Sequence, residues 1–109
     1  FQEAQKKGQL IIDIRRAEEW AETGIIEGAE TITAFTKSGA LHPDFQKKFF
    51  PLIDDEDTPV YLYCRTGNRT GTLGNALVNQ VGLRKVLHLT TGIVGWKKDG
   101  LLTTPYKSD

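Results

Sequence analysis

The sequence predicts an α/β fold, a mainly parallel sheet covered by helices on both faces. Three observations lead there. Short β-branched and aromatic runs alternate with helix-like stretches along the whole chain. The strongest runs are apolar at consecutive positions, as strands buried on both faces are. No repeat, low-complexity segment or Pro/Gly/Ser-rich linker divides the 109 residues, so residues 1–109 are expected to form one domain. A 39% hydrophobic chain of this length buries roughly 60–70% of its unfolded surface without a metal or disulfide staple.

The elements follow in order. Phe1 to Lys7 reads as helix. Leu10-Ile-Ile-Asp13 is a β-branched run suited to a buried strand, and Ala17–Glu22 is a short helical stretch stopped by Gly24. Ala29–Ile32 is a weaker strand candidate because it carries Glu30 and two threonines. Lys37–Leu41 reads as loop, and His42-Pro43-Asp44 introduces a helix over Phe45–Phe50 that Pro51 limits. The acidic run Asp54–Asp57 is a solvated turn, and Val60-Tyr-Leu-Tyr63 has the composition of a central strand. From Thr70 to Val81, Leu73, Ala76, Leu77 and Val81 recur at helical spacing, with Gly82 placed for a left-handed cap. Val86–Leu89 reads as a strand, and Thr91-Gly92 opens a last helix, Ile93–Asp99, closed by Gly100. An extended tail begins at Leu101. Crossovers between the parallel strands are expected to be right-handed.

Fourteen basic and fourteen acidic side chains cancel, so the totals indicate neither a nucleic-acid nor an acidic-membrane partner, and any anion site must be local. No apolar run approaches the ~20 residues of a membrane span, and the N-terminus lacks the zones of a signal peptide. The chain is expected to be soluble. It opens on Phe1 in helix, so cytoplasmic residence and periplasmic residence after removal of an upstream signal both stay open. One cysteine excludes an internal disulfide, a CxxC pair and a multi-cysteine zinc site; no metal is expected.

That cysteine, Cys64, stands directly after the Val60–Tyr63 strand, and Arg65-Thr66-Gly67-Asn68-Arg69-Thr70 lead into a helix. Open α/β sheets place ligands at this strand end. A loop turning sharply into a helix aims several N–H groups at one point, and the helix dipole adds positive potential. Gly67 supplies the torsions such a turn needs, and Gly71 is expected to let the helix start pack closely. The same field acts on the thiol. A shift from a pKa of about 8.5 to about 6.5 raises the thiolate fraction at pH 7 from about 3% to about three-quarters, for roughly 2.7 kcal/mol of electrostatics. Arg65 and Arg69 are expected to supply part of it and to hold an oxyanion at the loop mouth, with no histidine needed as base. A lone cysteine after a strand is on base rate a packed core residue. Two arginines and a glycine turn have no use there, and they favour a reactive thiol.

Cys64-Arg65-Thr66-Gly67-Asn68-Arg69-Thr70 resembles the active-site loop of the rhodanese family, C-x-x-G-x-R-[ST]. Ile12-Asp13-Ile14-Arg15 with Glu18-Glu19-Trp20 is similar to that family's first block. Gly24 to Ala29 sits where its G-H-I-P-G-A segment falls, and Thr91 to Leu101 is similar to its C-terminal G-G-[IV]-x-x-W-x-x-x-G block. The resemblance implies a rhodanese-like three-layer fold. In it Cys64 accepts sulfane sulfur from thiosulfate or another persulfide and passes it to cyanide, a thiol or a protein thiol, with the covalent persulfide as intermediate and no cofactor. It further implies that backbone amides of Arg65 to Arg69 cradle the persulfide and that Arg65 and Arg69 bind or steer the donor. Asp13 and Arg15 fall at the same sheet end, where Arg15 either shapes the entrance or pairs with Asp13 or Glu19. Ile25 and Glu27 replace the family's His and Pro, and Thr91 replaces a glycine, where it is expected to cap the last helix. The family pattern also opens on a strand ahead of the Phe1 helix, so a slightly truncated domain is expected.

Other residues read more plainly. Trp20 and Trp96 fall beside apolar neighbours as core anchors. His42 reads as a loop residue and His88 as part of a strand, without metal-ligand spacing. Asn68-Arg69-Thr70 matches a glycosylation sequon by coincidence. A phosphatase or arsenate reductase with a Cys-x5-Arg loop is the nearest rival enzyme, but counted from Cys64 the arginine position of that signature falls on Thr70, and Arg69 comes one residue too early. A silent binding module fits poorly with an intact cysteine loop. A dedicated sulfur-relay or sulfide-binding partner protein with little free thiosulfate activity remains the alternative.

Overall fold

The computed structural model describes residues 2–106; Phe1 and residues 107–109, the end of the expected tail, lie outside the described residues. In chain order the elements are α1 (Gln2–Lys6), β1 (Leu10–Asp13), α2 (Ala17–Thr23), β2 (Glu30–Thr31), α3 (Phe45–Phe49), β3 (Val60–Tyr63), α4 (Asn68–Ala76), β4 (Val86–His88) and α5 (Gly92–Lys98). The sheet has the order β2-β1-β3-β4, and every pair is parallel.

Composition explains that order. Leu-Ile-Ile-Asp and Val-Tyr-Leu-Tyr take the two central places, where both faces are covered. The polar pair Glu30-Thr31 and the short Val-Leu-His run are left to the edges. Alternation along the strands sorts their side chains into two cores. Ile12, Ile14, Val60, Leu62 and Cys64 pack on one face with Phe45, Phe49, Leu73 and Leu77 from α3, α4 and the turn beyond it. Ile11 and Tyr63 pack on the other with Ala4, Ile93 and Trp96 from α1 and α5. The three-layer α/β architecture is thus the one expected.

Differences are local. The second strand contracts to two residues, although Ile32 N–H and Ala34 N–H continue the edge pairing by donating to the carbonyls of Asp13 and Ile14. α3 ends at Phe49, and Pro51 sits in the first positions of a 3₁₀ turn, Phe50–Leu52, where a missing N–H costs little. α4 starts at Asn68, two residues before the apolar periodicity begins. Its last turn, Leu77–Val81, widens to π geometry. That widening breaks the 3.6-residue phase, so Val81, expected on the buried stripe, is exposed and Leu83 fills the core instead.

The tail is fastened rather than loose. Thr104 pairs with Ile25 in both directions at 2.7 and 2.8 Å, Trp96 Nε1–H donates to the Leu102 carbonyl at 2.9 Å, and the Trp20 and Tyr106 rings lie 5.1 Å apart. Trp20 and Trp96 are both buried, as core anchors should be. The acidic turn is exposed, and Arg84 reaches Glu56 and Asp57 at 3.6 Å. No helix among the described residues is long and apolar enough to cross a membrane.

Candidate active site

The site forms where β3 ends. Strand alternation carries Val60, Leu62 and then Cys64 to the α4 face, which buries the thiol to 1% exposure. The chain then turns through Gly67 at φ 99°, a torsion open to glycine, and enters α4 at Asn68. The N-terminus of α5 closes the turn from the far side. Ile93 N–H donates to the Cys64 carbonyl at 2.9 Å and Val94 N–H to the Arg65 carbonyl at 3.2 Å. With those carbonyls held outward, the loop's own N–H groups are left for the sulfur.

Gly67 N–H donates to Cys64 Sγ at 3.1 Å, and the Thr70 hydroxyl lies 3.7 Å from it. Burial pushes the Cys64 thiol up. Hydrogen bonds from the Thr70 N–H and hydroxyl and from the N–H groups of Gly67 and Arg69 more than offset this, so the thiol falls below its ordinary value. The leading source of the lowering is therefore backbone amides and Thr70 rather than the arginine charges. A depressed thiol pKa means thiolate persists as pH falls. Alkylation of Cys64 by iodoacetamide is expected to titrate with a midpoint below the roughly 8.5 of a free cysteine, measured as rate against pH.

The two loop arginines part company. Arg69, half-buried, makes a bidentate ion pair with Glu19 of α2, both N···O distances being 2.8 Å. It is a brace between α4 and α2 that still borders the cleft at the loop mouth. Arg65 is exposed and has no ion pair among the described residues. It borders an open cleft of about 470 Å³ with Arg16, Lys37, Phe35, Asn68 and Arg69. Thr66 and Asn68 are exposed on the loop, whereas Thr70 is buried.

Asp13 and Arg15 meet as a buried pair, the structural alternative that the sequence left open. Arg15 Nε and an Nη atom bond the Asp13 carboxylate at 2.8–3.2 Å, and the guanidinium also donates to Thr23 Oγ1 at 2.7 Å and the Gly24 carbonyl at 2.8 Å. Burial works against its charge, and the Asp13 hydrogen bonds more than compensate. With 1% of its surface exposed, Arg15 shapes the site from behind rather than at an entrance. Tyr63, whose phenol burial and Asp13 push above its usual range, accepts the Ile26 N–H at 2.9 Å. Ile26 is thereby held in place although its neighbours Ile25 and Glu27 depart from the family pattern.

Two further expectations are corrected. Thr91 occupies the N-cap position of α5 but makes no side-chain cap, because its backbone is already in the right-handed helical region. Its side chain instead fills the space a Cβ on Gly95 would need. Gly71 is not needed for close packing, since a Cβ there would come no nearer than 4.0 Å to the His88 ring. Sequence reasoning also missed Glu19 as the partner of Arg69, and His88, whose Nδ1 lies 2.8 Å from Thr70 Oγ1. The β3–β4 register, Leu62 opposite His88, carries that histidine to the loop. The available signal was the alternation of Val86 and His88 on one face of a short strand.

Comparisons agree with this geometry. The sequence pattern of the rhodanese-like domain family matches residues 1–99. The uncharacterized protein RP600 of Rickettsia prowazekii is 26% identical over 99 residues, covering 84% of this chain and 80% of that protein. Among solved structures, a rhodanese-related protein from Thermoplasma volcanium superposes with a TM-score of 0.67 at 17% identity, over 95% of this chain and 91% of that one. A thiosulfate sulfurtransferase from Pseudomonas aeruginosa gives 0.73 at 21%, over 98% of this chain and 19% of that one. A Rhodopseudomonas palustris protein of unknown function, described as a possible tyrosine phosphatase, gives 0.64 at 24%, over 94% of this chain and 76% of that one. At these identities the structural likeness is one of fold.

Proposed function

The chain belongs to the rhodanese-like domain family, and from that membership we propose that it is a sulfurtransferase working through a persulfide on Cys64. One observation carries the reading: the only cysteine is held by Gly67 N–H and faced by the Thr70 hydroxyl, and the Arg69 and Thr70 N–H groups of the loop also favour its thiolate. The thiolate attacks the sulfane sulfur of thiosulfate, the S–S bond of the donor breaks, and sulfite leaves with the electron pair. The outer sulfur now bears the negative charge. The N–H groups that favour the thiolate favour this anion as well, so the loop stabilises both states between which sulfur moves. Cyanide or a thiolate then attacks the outer sulfur, the Cys–S bond breaks, and the Cys64 thiolate returns.

Arg65, exposed at the cleft, steers the dianionic donor. Asn68 and Thr66 flank its approach, and Arg69 keeps the helix start in place through Glu19. Because the chain has one cysteine, release of the sulfur requires an external acceptor.

Incubation with thiosulfate is expected to add one sulfur atom to the intact mass of the protein. Cyanide removes it, and Cys64→Ala never acquires it. Turnover is expected to depend on added thiol or cyanide. A wild-type protein that gains no sulfur would eliminate thiosulfate as donor and favour a dedicated relay that takes sulfur from one protein partner.

A further inference from the structure

The Thr70 hydroxyl has three neighbours and one proton. It donates to the Gly67 carbonyl at 3.1 Å, lies 2.8 Å from His88 Nδ1, and lies 3.7 Å from Cys64 Sγ. With that proton directed to a carbonyl, the bond to His88 exists only if Nδ1 carries the hydrogen and Thr70 Oγ1 accepts it. His88 sits on the edge strand β4, half-buried.

We infer that His88 is a positioning residue that acts through Thr70. By donating from Nδ1 it occupies a lone pair of the hydroxyl oxygen and leaves the hydroxyl proton to swing between two acceptors, the Gly67 carbonyl and the sulfur. When Cys64 ionises or carries the outer persulfide sulfur, the anion is the stronger acceptor and the proton turns to it. The donated bond polarises the hydroxyl and strengthens its bond to sulfur, as in other hydrogen-bond chains. The His88 hydrogen bond is to the Thr70 hydroxyl, not to the sulfur. This deepens the persulfide reading by adding a residue outside the loop motif, yet it concerns the thiolate itself and is measurable whether or not thiosulfate is the donor.

The test is the rate of Cys64 alkylation by iodoacetamide against pH in the wild-type chain, His88→Leu and His88→Asn. Leucine removes the donor; asparagine places an amide N–H near the Nδ1 position. The charges coupled to this region, Arg69 with its partner Glu19 and the buried Asp13, are the same in all three. For His88→Leu the expected result is a midpoint at higher pH and a rate at neutral pH lower by roughly two- to tenfold, the value of one hydrogen bond, with recovery in His88→Asn. A His88→Leu profile that superposes on wild type overturns the inference, and so does a midpoint at lower pH. An equal loss in both variants, each folded by circular dichroism, would assign the effect to packing and overturn it as well. Absence of a thiosulfate adduct in the wild-type chain leaves this measurement intact and bears only on the donor.

Discussion

Gly92→Ala is expected to unmake the Cys64 loop. Gly92 is buried at φ 64°, in the left-handed region, and a Cβ on it would run into the Arg65 carbonyl and lie 2.6 Å from Thr66 N. All of these are backbone atoms of the loop, so no side chain can swing aside. The strained torsion costs about 1–3 kcal/mol, and the overpacking costs about 1–3 kcal/mol more. A fall in melting temperature on the order of 10 °C or more is expected. Relief comes from moving Arg65 and Thr66 away from α5, which breaks the Ile93 and Val94 bonds that hold the loop carbonyls outward. Thiolate character is then lost, and Cys64 alkylation at neutral pH slows in whatever fraction stays folded. Gly71→Ala is the control, because its Cβ meets only ordinary contact and alanine favours a helix interior by roughly 0.5–1 kcal/mol. Equal melting temperatures for Gly92→Ala and wild type would refute the account of how α5 closes the site.

Arg15→Met is expected to destabilise the protein by about 3–5 kcal/mol, because it strands the Asp13 carboxylate, fully buried, without its cation. The same guanidinium is the hub joining the end of β1 to Thr23 and Gly24 at the end of α2, and it lies 5.9 Å from the Tyr63 ring centre. Its loss therefore also loosens the β3 end from which Cys64 extends. Removing both charges by Asp13→Leu with Arg15→Met is expected to recover much of the stability, since a buried pair offsets its own desolvation only approximately. Denaturant unfolding of the single and double variants measures the difference. A single variant within 1 kcal/mol of wild type would mean that Asp13 finds water or another partner.

Much of the fold was legible because its signals are local. Leu10–Asp13 and Val60–Tyr63 are apolar at consecutive positions, and both became central strands. Gly24, Gly82 and Gly100 mark helix ends at positive φ, as a residue without Cβ should. Cys64 and its glycine turn were visible as a strand–loop–helix, and the family resemblance fixed which loop it was. Val81 misled because periodicity is counted at 3.6 residues per turn, and a π turn changes the count without leaving a mark in the residue types.

Partner choice was less legible. Arg69 looked like an anion-binding arm because it sits in the loop, but Glu19, fifty residues earlier, holds it through two hydrogen bonds. Arg15 lies within four positions of Asp13, Glu18 and Glu19, and only the β1 end geometry commits it to Asp13. His88 lay in an unremarkable run until the parallel register set it beside Thr70.

The sequence by itself determined the strands, the helix stops, the three-layer class and the nucleophile's place after β3, because each depends on residues within a few positions of one another. The tertiary structure alone decided that Arg69 is braced by Glu19 and that the His88 imidazole stands against the Thr70 hydroxyl. Those outcomes depend on contacts between residues 18 to 50 positions apart, where the competing partners are chemically alike and only packing of the layers selects among them.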